Sequence, residues 1–294
     1  ILLITVPVAF GWLFVLVLGA ERLAAGGVRR IAPVLVTLAL ALPLGGGLLT
    51  GNRAFIDGIT HDDSALRTIA IASGAPAGST LFVAWGLHHF AVGIAQDVDP
   101  SLAPPSLQDV TLVDHEAPFY DLLQDGAALV TPSFTFYNQP LDWWAARLVG
   151  GPVYLQAAGP DLVQVMLEPV RPGDAPDTFG PLAETVTCAA DALILDVTWF
   201  TPDVPPEDLR VFVHAWSADD VLLAQGDQAA PVYGWRPLTS WTAGEAVRDV
   251  YPVRGLDPAA VAMLRYGLYR VTEAGGFENA FENVYEYDVP VDCE

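Results

Sequence analysis

The chain has 294 residues with 13 basic residues, all of them arginine, against 35 acids, for a formal charge of −22 at pH 7. Phosphate-rich polymers need a basic footprint on their partner, so a field of this sign excludes nucleic acid. The charge is uneven: residues 1–50 hold one acid, Glu21, and three arginines, Arg22, Arg29 and Arg30, so nearly all the acidity lies downstream.

Two apolar stretches open the chain, Ile1–Ala20 and Ile31–Thr50. Each has the length of about 20 residues that crosses roughly 30 Å of hydrocarbon as a helix. Together they predict a membrane helical hairpin. A signal peptide is the competing reading of the first stretch, but no basic segment leads it and a second apolar stretch follows. The arginines between the stretches place that loop in the cytoplasm. The expected location is therefore the cell membrane, multi-pass, with residues 51–294 outside and membrane lipid as a partner. The sequence opens within an apolar run and without Met, which sets the expectation of a longer membrane protein extending upstream.

From residue 51 the pattern alternates between helix and strand. Asp62-Asp63-Ser64 predicts the start of a helix running to about Ser73, with acids at its positive end. Ser79–Trp85 predicts a buried strand, and Leu87–Gln96 a helix with Phe90, Ala91 and Ile94 on one face. Strands follow at Asp109–Val113, Ala127–Val130 and Pro152–Gln156, with helices at Ala117–Gln124 and Gln139–Val149. Strands separated by helices of this length predict βαβ units and a small parallel sheet, so residues 51–168 read as an α/β domain.

Residues 169–181 are rich in Pro, Gly and Asp and read as a linker. In 182–294 the short alternating runs Ala192–Phe200, Leu209–Trp216, Val221–Gln225, Ala246–Val253, Tyr266–Thr272 and Val284–Val289 predict an antiparallel β-sandwich. Cys188 and Cys293 lie near the two ends of this domain and are a candidate disulfide outside the cytosol; two unpaired thiols are the alternative.

Several residue groups carry candidate chemistry. His88 and His89 follow one predicted strand, and Asp114, His115 and Glu116 follow another. Open α/β sheets gather ligands beyond the carboxyl ends of their strands. Imidazoles and carboxylates meeting there have the donor types of a Zn²⁺ site, although no HExxH spacing is present. Thr131-Pro132-Ser133 lacks the GxSxG elbow of a serine nucleophile. Trp199, Trp216, Trp235, Trp241, Tyr233 and Tyr251 give the sandwich an aromatic character. Most fit the core, while Tyr233 and Trp235, in the Pro231–Pro237 loop, are the candidates for sugar contact. No cofactor is predicted, with a structural Ca²⁺ at acidic groups in predicted loops kept as an alternative; convergent loops would have to supply its six to eight oxygens.

The last domain also resembles a known type. Val211-Phe212-Val213-His214, Leu222–Gln225 with Asp227, Trp241-Thr242-Ala243-Gly244-Glu245 with Val247 and Asp249, and Tyr266-Gly267-Leu268-Tyr269 resemble a β-sandwich appended to large bacterial membrane glycosyltransferases. Those enzymes use polyprenyl-phosphate sugars and are similar to protein O-mannosyltransferases and aminoarabinose transferases. Asp62-Asp63-Ser64, Ala70, Pro76, Gly78, Thr80-Leu81 and Asp109-Val110-Thr111 look like the outward domain of the same proteins. The resemblance implies a portion that supports sugar transfer from a lipid-phosphate donor to a glycan or protein acceptor, with the catalytic core upstream. It carries no catalytic residue onto this chain. A surface module that binds glycans without catalysis is the alternative.

Overall fold

The structure is a computed structural model that describes residues 14, 45–47, 50–55, 57–58, 61–83, 86–99, 102, 106–109, 123, 128–148, 151–272, 274–279 and 286–293. It divides into two compact units, Ile1–Asp63 and Ser64–Glu294. In the first, residues 45–47, 50–55 and 57–58 are helical. There Thr50 Oγ1 donates back to the Gly46 carbonyl at 2.7 Å.

The membrane expectations are corrected. Among the described residues no helix is long and apolar enough to cross a membrane. Apart from Phe14, 45–47 and Thr50, the stretches assigned to the helical hairpin lie outside the described residues. The transmembrane hairpin, the multi-pass membrane location and the outward orientation built on it are withdrawn.

The second unit opens with α1 (Ser64–Ser73), β1 (Thr80–Val83), α2 (Leu87–Val98) and β2 (Ser106–Asp109). β3 (Leu129–Pro132), a 3-10 turn over Ser133–Tyr137, α3 (Leu141–Arg147), β4 (Tyr154–Gly159) and β5 (Leu162–Met166) follow. The sheet order is β2-β1-β3-β5-β4. β1 pairs in parallel with β2 and β3, whereas β3, β5 and β4 pair antiparallel. The expected parallel sheet is therefore a mixed one. The cause is the Pro160-Asp161 turn, where Asp161 takes the left-handed backbone (φ 57) and folds β4 back on β5 as a hairpin. Leu81, Val83, Val130 and Leu162 pack under α1 and α2 through Ala72 and Val92. Phe82, Leu129, Leu155 and Val163 face the opposite way, toward Phe136 and Trp144. Burial on both faces explains why β1 and β3 read as unbroken apolar runs.

The rest is a sandwich of two antiparallel sheets. One has the order β10-β7-β6, formed by β6 (Gly180–Cys188), β7 (Ala192–Thr201) and β10 (Glu245–Arg254). The other has the order β12-β11-β8-β9, formed by β8 (Arg210–Trp216), β9 (Leu222–Gln225), β11 (Met263–Val271) and β12 (Phe277–Asn279). β13 (Glu286–Pro290) also pairs with β11. The first two residues of β6, Gly180 and Pro181, thus fall in the stretch read as linker. Alternation assigns the faces. Leu193, Leu195, Val197 and Trp199 of β7, with Val247, Tyr251 and Val253 of β10, meet Val211, Val213 and Ala215 of β8 and Leu264, Tyr266 and Leu268 of β11. Cys188, at the end of β6, is bonded to Cys293, just past β13, and so ties the two sheets together.

The outer face of the β7–β10 sheet is covered by the mixed sheet. Arg248 Nη1 donates to the Ala158 carbonyl of β4 at 3.3 Å, and Arg236 Nη1 to that of Leu155 at the same distance. Ala246 bridges to Val170. The outer face of the β8–β11 sheet receives no such cover among the described residues, and the side chains it displays define the candidate site.

Candidate functional site

On β8 the residues between the core positions, Phe212, His214 and Trp216, point outward. On β11 Met263 is opposite Trp216, Arg265 opposite His214 and Gly267 opposite Phe212, and the next outward position, Tyr269, is opposite Arg210. Gly267 is paired with Phe212 on one side and Glu286 on the other, and a depression on this face is lined by Phe212, His214, Trp216, Tyr269 and Phe277 with polar side chains around them. Its volume is about 560 Å³, within the range of small-molecule sites.

The rings form one row. Trp216 lies 6.4 Å from His214, His214 5.1 Å from Phe212, Phe212 6.3 Å from Tyr269, and Tyr269 5.6 Å from Phe277. Phe277, at the end of the row, is 75% exposed. Polar groups flank the row. His214 Nε2 sits 2.9 Å from the Gln225 amide nitrogen and 3.3 Å from Asp227 Oδ1. Asp227 Oδ1 also accepts the Val213 amide at 3.0 Å, which fixes the carboxylate at the rim. Arg265 forks onto Asp288, Nε to Oδ1 at 2.7 Å and Nη2 to Oδ2 at 3.1 Å, and reaches Glu286 at 3.3 Å. The hydrogen bonds that Arg265 donates to Asp288 raise its pKa above the ordinary value, so the guanidinium is a permanent cation on this face. Two carboxylates, Asp288 and Glu286, hold that guanidinium, and with Asp227 beside His214 the acids around the depression outnumber its arginine.

A second concavity lies in the mixed sheet. The chain passes from β1 through α2 to β2 on one side and then returns to β3 on the other, so the strand order reverses between β1 and β3. Beyond the carboxyl ends of these two strands is a cleft of about 760 Å³ lined by His88, Ser133, Phe134, Arg67, Asp161 and Arg254, among others.

The residues singled out from the sequence fall in different places. His88 lines the cleft, with Nδ1 2.7 Å from Thr68 Oγ1 and its ring 5.2 Å from that of Phe134. His89 is half-buried, its ring edge-on to Phe90. Asp114, His115 and Glu116 lie outside the described residues. Among the described residues no group of three or more His, Cys, Asp or Glu side chains is placed to hold a metal ion. Tyr233 and Trp235 are turned toward the mixed sheet. The Tyr233 hydroxyl bonds to the β4–β5 turn, and Trp235 packs 5.6 Å from Phe136 and 4.9 Å from Tyr137. Trp199, Trp241 and Tyr251 fill the sandwich core, with Trp199 Nε1 donating to the Tyr251 hydroxyl at 3.0 Å. Trp216 is the tryptophan left on the open face. The available sequence signal was that β8 carries large side chains on both faces, which a strand covered on one side does not need.

No family model matches the chain. No curated protein matches it. Among solved structures it is similar to a β-glucuronidase from glycoside hydrolase family 2, at 9% identity, covering 44% of this chain and 13% of that chain with a TM-score of 0.24. The chain spans only a small part of that enzyme's length, and a likeness this faint carries no argument.

Proposed function

We propose that the C-terminal sandwich is a glycan-binding module whose site is the open face of β8 and β11. The observation that carries this reading is the row of rings on this face, half-buried Trp216, His214 and Tyr269, exposed Phe277 and, at its floor, buried Phe212, flanked by polar side chains. Ring faces stack against the apolar faces of sugars, while carboxylates, amides and guanidinium groups exchange hydrogen bonds with sugar hydroxyls. The acidic balance around Arg265 disfavours uronic and sialic acids and favours neutral or amino sugars. Asp227, Glu286 and Asp288 already engage His214, Arg265 or a backbone amide. The contacts proposed to sugar hydroxyls are direct hydrogen bonds.

The resemblance of the sandwich motifs to those appended to sugar transferases supports the same ligand class. The transfer step itself is assigned to no residue of this chain. The test is a glycan array followed by calorimetry on the full chain, with EDTA present. Neutral oligosaccharides are expected to bind, and Trp216→Ala and Tyr269→Ala each to weaken binding by about tenfold or more, equivalent to about 1.4 kcal/mol. Failure of every neutral glycan to bind, or unchanged affinity in both variants, overturns the reading.

A further inference from the structure

We infer that the end of the sandwich between β7 and β8 is a separate binding site for a small amphipathic cation of the aromatic-amine class. The chain leaves β7 at Thr201, crosses from one sheet to the other over 202–209 and enters β8 at Arg210. Beside this crossing is a cavity of about 340 Å³. That is the lower end of the range for small-molecule sites and suits a ligand of one or two fused rings.

The lining sets the body of the ligand. Leu209, Leu238 and Leu268 are core residues that reach the cavity, and Phe179, Val204 and Pro205 join them. Phe179, just before β6, stacks on Trp199 at 5.9 Å and on Trp241 at 6.1 Å, so this wall is continuous with the sandwich core. A ring gains by leaving water for such a surface. The crossing is also held in place. The Thr201 hydroxyl donates to the Asp203 carbonyl. Asp208 Oδ1 accepts the Thr239 amide at 2.9 Å and its hydroxyl at 2.7 Å, which ties the crossing to the 3-10 turn Leu238–Ser240. Pro202, Pro205 and Pro206 each fix a backbone torsion between these ties. A ligand therefore meets a wall that it does not have to order.

Charge sets the head of the ligand. The ionisable side chains that line the cavity are Asp177, Asp203 and Glu207, with no arginine among them. Glu207 is paired with Arg270 and is left out of the balance. Asp177 and Asp203 are exposed, and neither enters an ion pair among the described residues. These two carboxylates, in a chain whose overall balance is −22, attract a cation and repel an anion. A metal ion gains nothing from the apolar wall, and a neutral ring gains nothing from the acids. The two features together select a ring that carries an ammonium group.

Calorimetry on the full chain with tryptamine, indole, indole-3-acetate and methylammonium tests this. The four probes carry the ring with a cation, the ring alone, the ring with an anion, and the cation alone. Tryptamine is expected to bind about tenfold or more tightly than each of the other three. Val204 is 55% exposed, so Val204→Arg is accommodated at the surface and sets a competing cation at the cavity. It is expected to weaken tryptamine by about tenfold or more. The double variant Asp177→Asn/Asp203→Asn is expected to bring tryptamine down to the affinity of indole while indole itself stays within about twofold of its wild-type value. An unchanged melting temperature establishes that each variant is folded, and Asp203→Asn alone replaces either one that is not. Any of the other probes binding as tightly as tryptamine, no binding by tryptamine, or tryptamine affinity within about twofold of wild type in the folded variants overturns the proposal.

Discussion

The Tyr233 hydroxyl donates to the Gly159 carbonyl at 2.5 Å and accepts the Asp161 amide at 2.9 Å, so one side chain of the sandwich closes the β4–β5 hairpin of the mixed sheet. Burial pushes the phenol's pKa well above its ordinary value, which keeps it protonated and able to make both bonds. Val232 and Tyr233 both take left-handed backbone, at φ 56 and 58, so the turn that delivers the hydroxyl is strained and is held by these contacts. Tyr233→Phe keeps the ring and leaves a half-buried carbonyl and amide without their partner. The expected loss is about 1–3 kcal/mol. Urea titration measures it, and the melting temperature is expected to fall by about 2–4 °C for each kcal/mol.

Asp249 faces the sandwich interior from β10 and is fully buried. Its Oδ1 accepts the Val250 amide at 2.8 Å. Desolvation pushes its pKa up to about 7, against the opposing influence of Tyr251 and the Val232 and Val250 amides. The folded chain therefore keeps this proton to about pH 7, while the unfolded chain releases it near its usual value of about 4. Between those limits the folded state binds more protons. The contribution of Asp249 is full below about pH 4, falls as the pH rises toward 7, and is constant above that. The span is a few kcal/mol, at about 1.4 kcal/mol per pKa unit. Urea unfolding of wild type and Asp249→Asn at pH 5, 6, 7 and 8 checks it. Wild type is expected to lose stability relative to the variant as pH rises, whereas a constant difference removes the proton from the account.

The positions of most sandwich strands were legible because turn residues separate alternating runs, as at Arg210–Trp216 and Glu245–Arg254. β6 was not fully legible. It opens with Gly180-Pro181, and most of its side chains face solvent, so little apolar alternation marks it as a strand. The antiparallel return of β5 was hidden for another reason. Its apolar run, Leu162–Met166, is five residues long and follows β4 after only Pro160 and Asp161. In the site, alternation on β8 separates two sets of side chains but does not say which set is core, since Val211 and Val213 on one face and Phe212 and Trp216 on the other are all apolar. Only the mixed sheet, by covering the β7–β10 face, shows which outer surface stays open. Tyr233 and Trp235 were credible sugar contacts in a Pro-flanked loop, and only the tertiary fold shows them turned toward Gly159 and Phe136.

Arg236 and Glu245 form a buried ion pair, with side chains 3% and 1% exposed and Nη2 to Oε1 at 2.8 Å. Glu245 Oε2 also accepts the Thr242 amide at 2.8 Å and its hydroxyl at 3.1 Å. Arg236 meanwhile reaches Ser240 and, across to β4, the Leu155 carbonyl. Burial lowers the Arg236 pKa, with Glu245 opposing the shift. Removing one partner strands the other charge in a dry environment. Glu245→Gln is expected to cost about 3–5 kcal/mol, and the double variant Arg236→Met/Glu245→Gln to recover part of that loss. A double-mutant cycle in urea measures the coupling; equal and additive losses would show that the two side chains act independently.

The Cys188–Cys293 bond spans 105 residues and anchors the chain just beyond β13. β13 supplies Glu286 and Asp288, the two carboxylates that hold Arg265 on the aromatic face. In the chain-entropy account, closing a loop of this length stabilises the fold by about 4–5 kcal/mol. Cys188 is exposed, so a reductant reaches the bond without unfolding the chain. Dithiothreitol, or the double variant Cys188→Ser/Cys293→Ser, is expected to lower the melting temperature by about 8–20 °C, at about 2–4 °C for each kcal/mol. Either treatment is also expected to weaken glycan binding, because β13 is held to β11 over only five pairs, Met263–Gly267 against Glu286–Pro290. Hydrogen exchange localises the effect. Faster exchange at the β11–β13 ladder with β7 and β10 unchanged matches this account, whereas uniform acceleration across the sandwich assigns the disulfide to global stability and detaches it from the site.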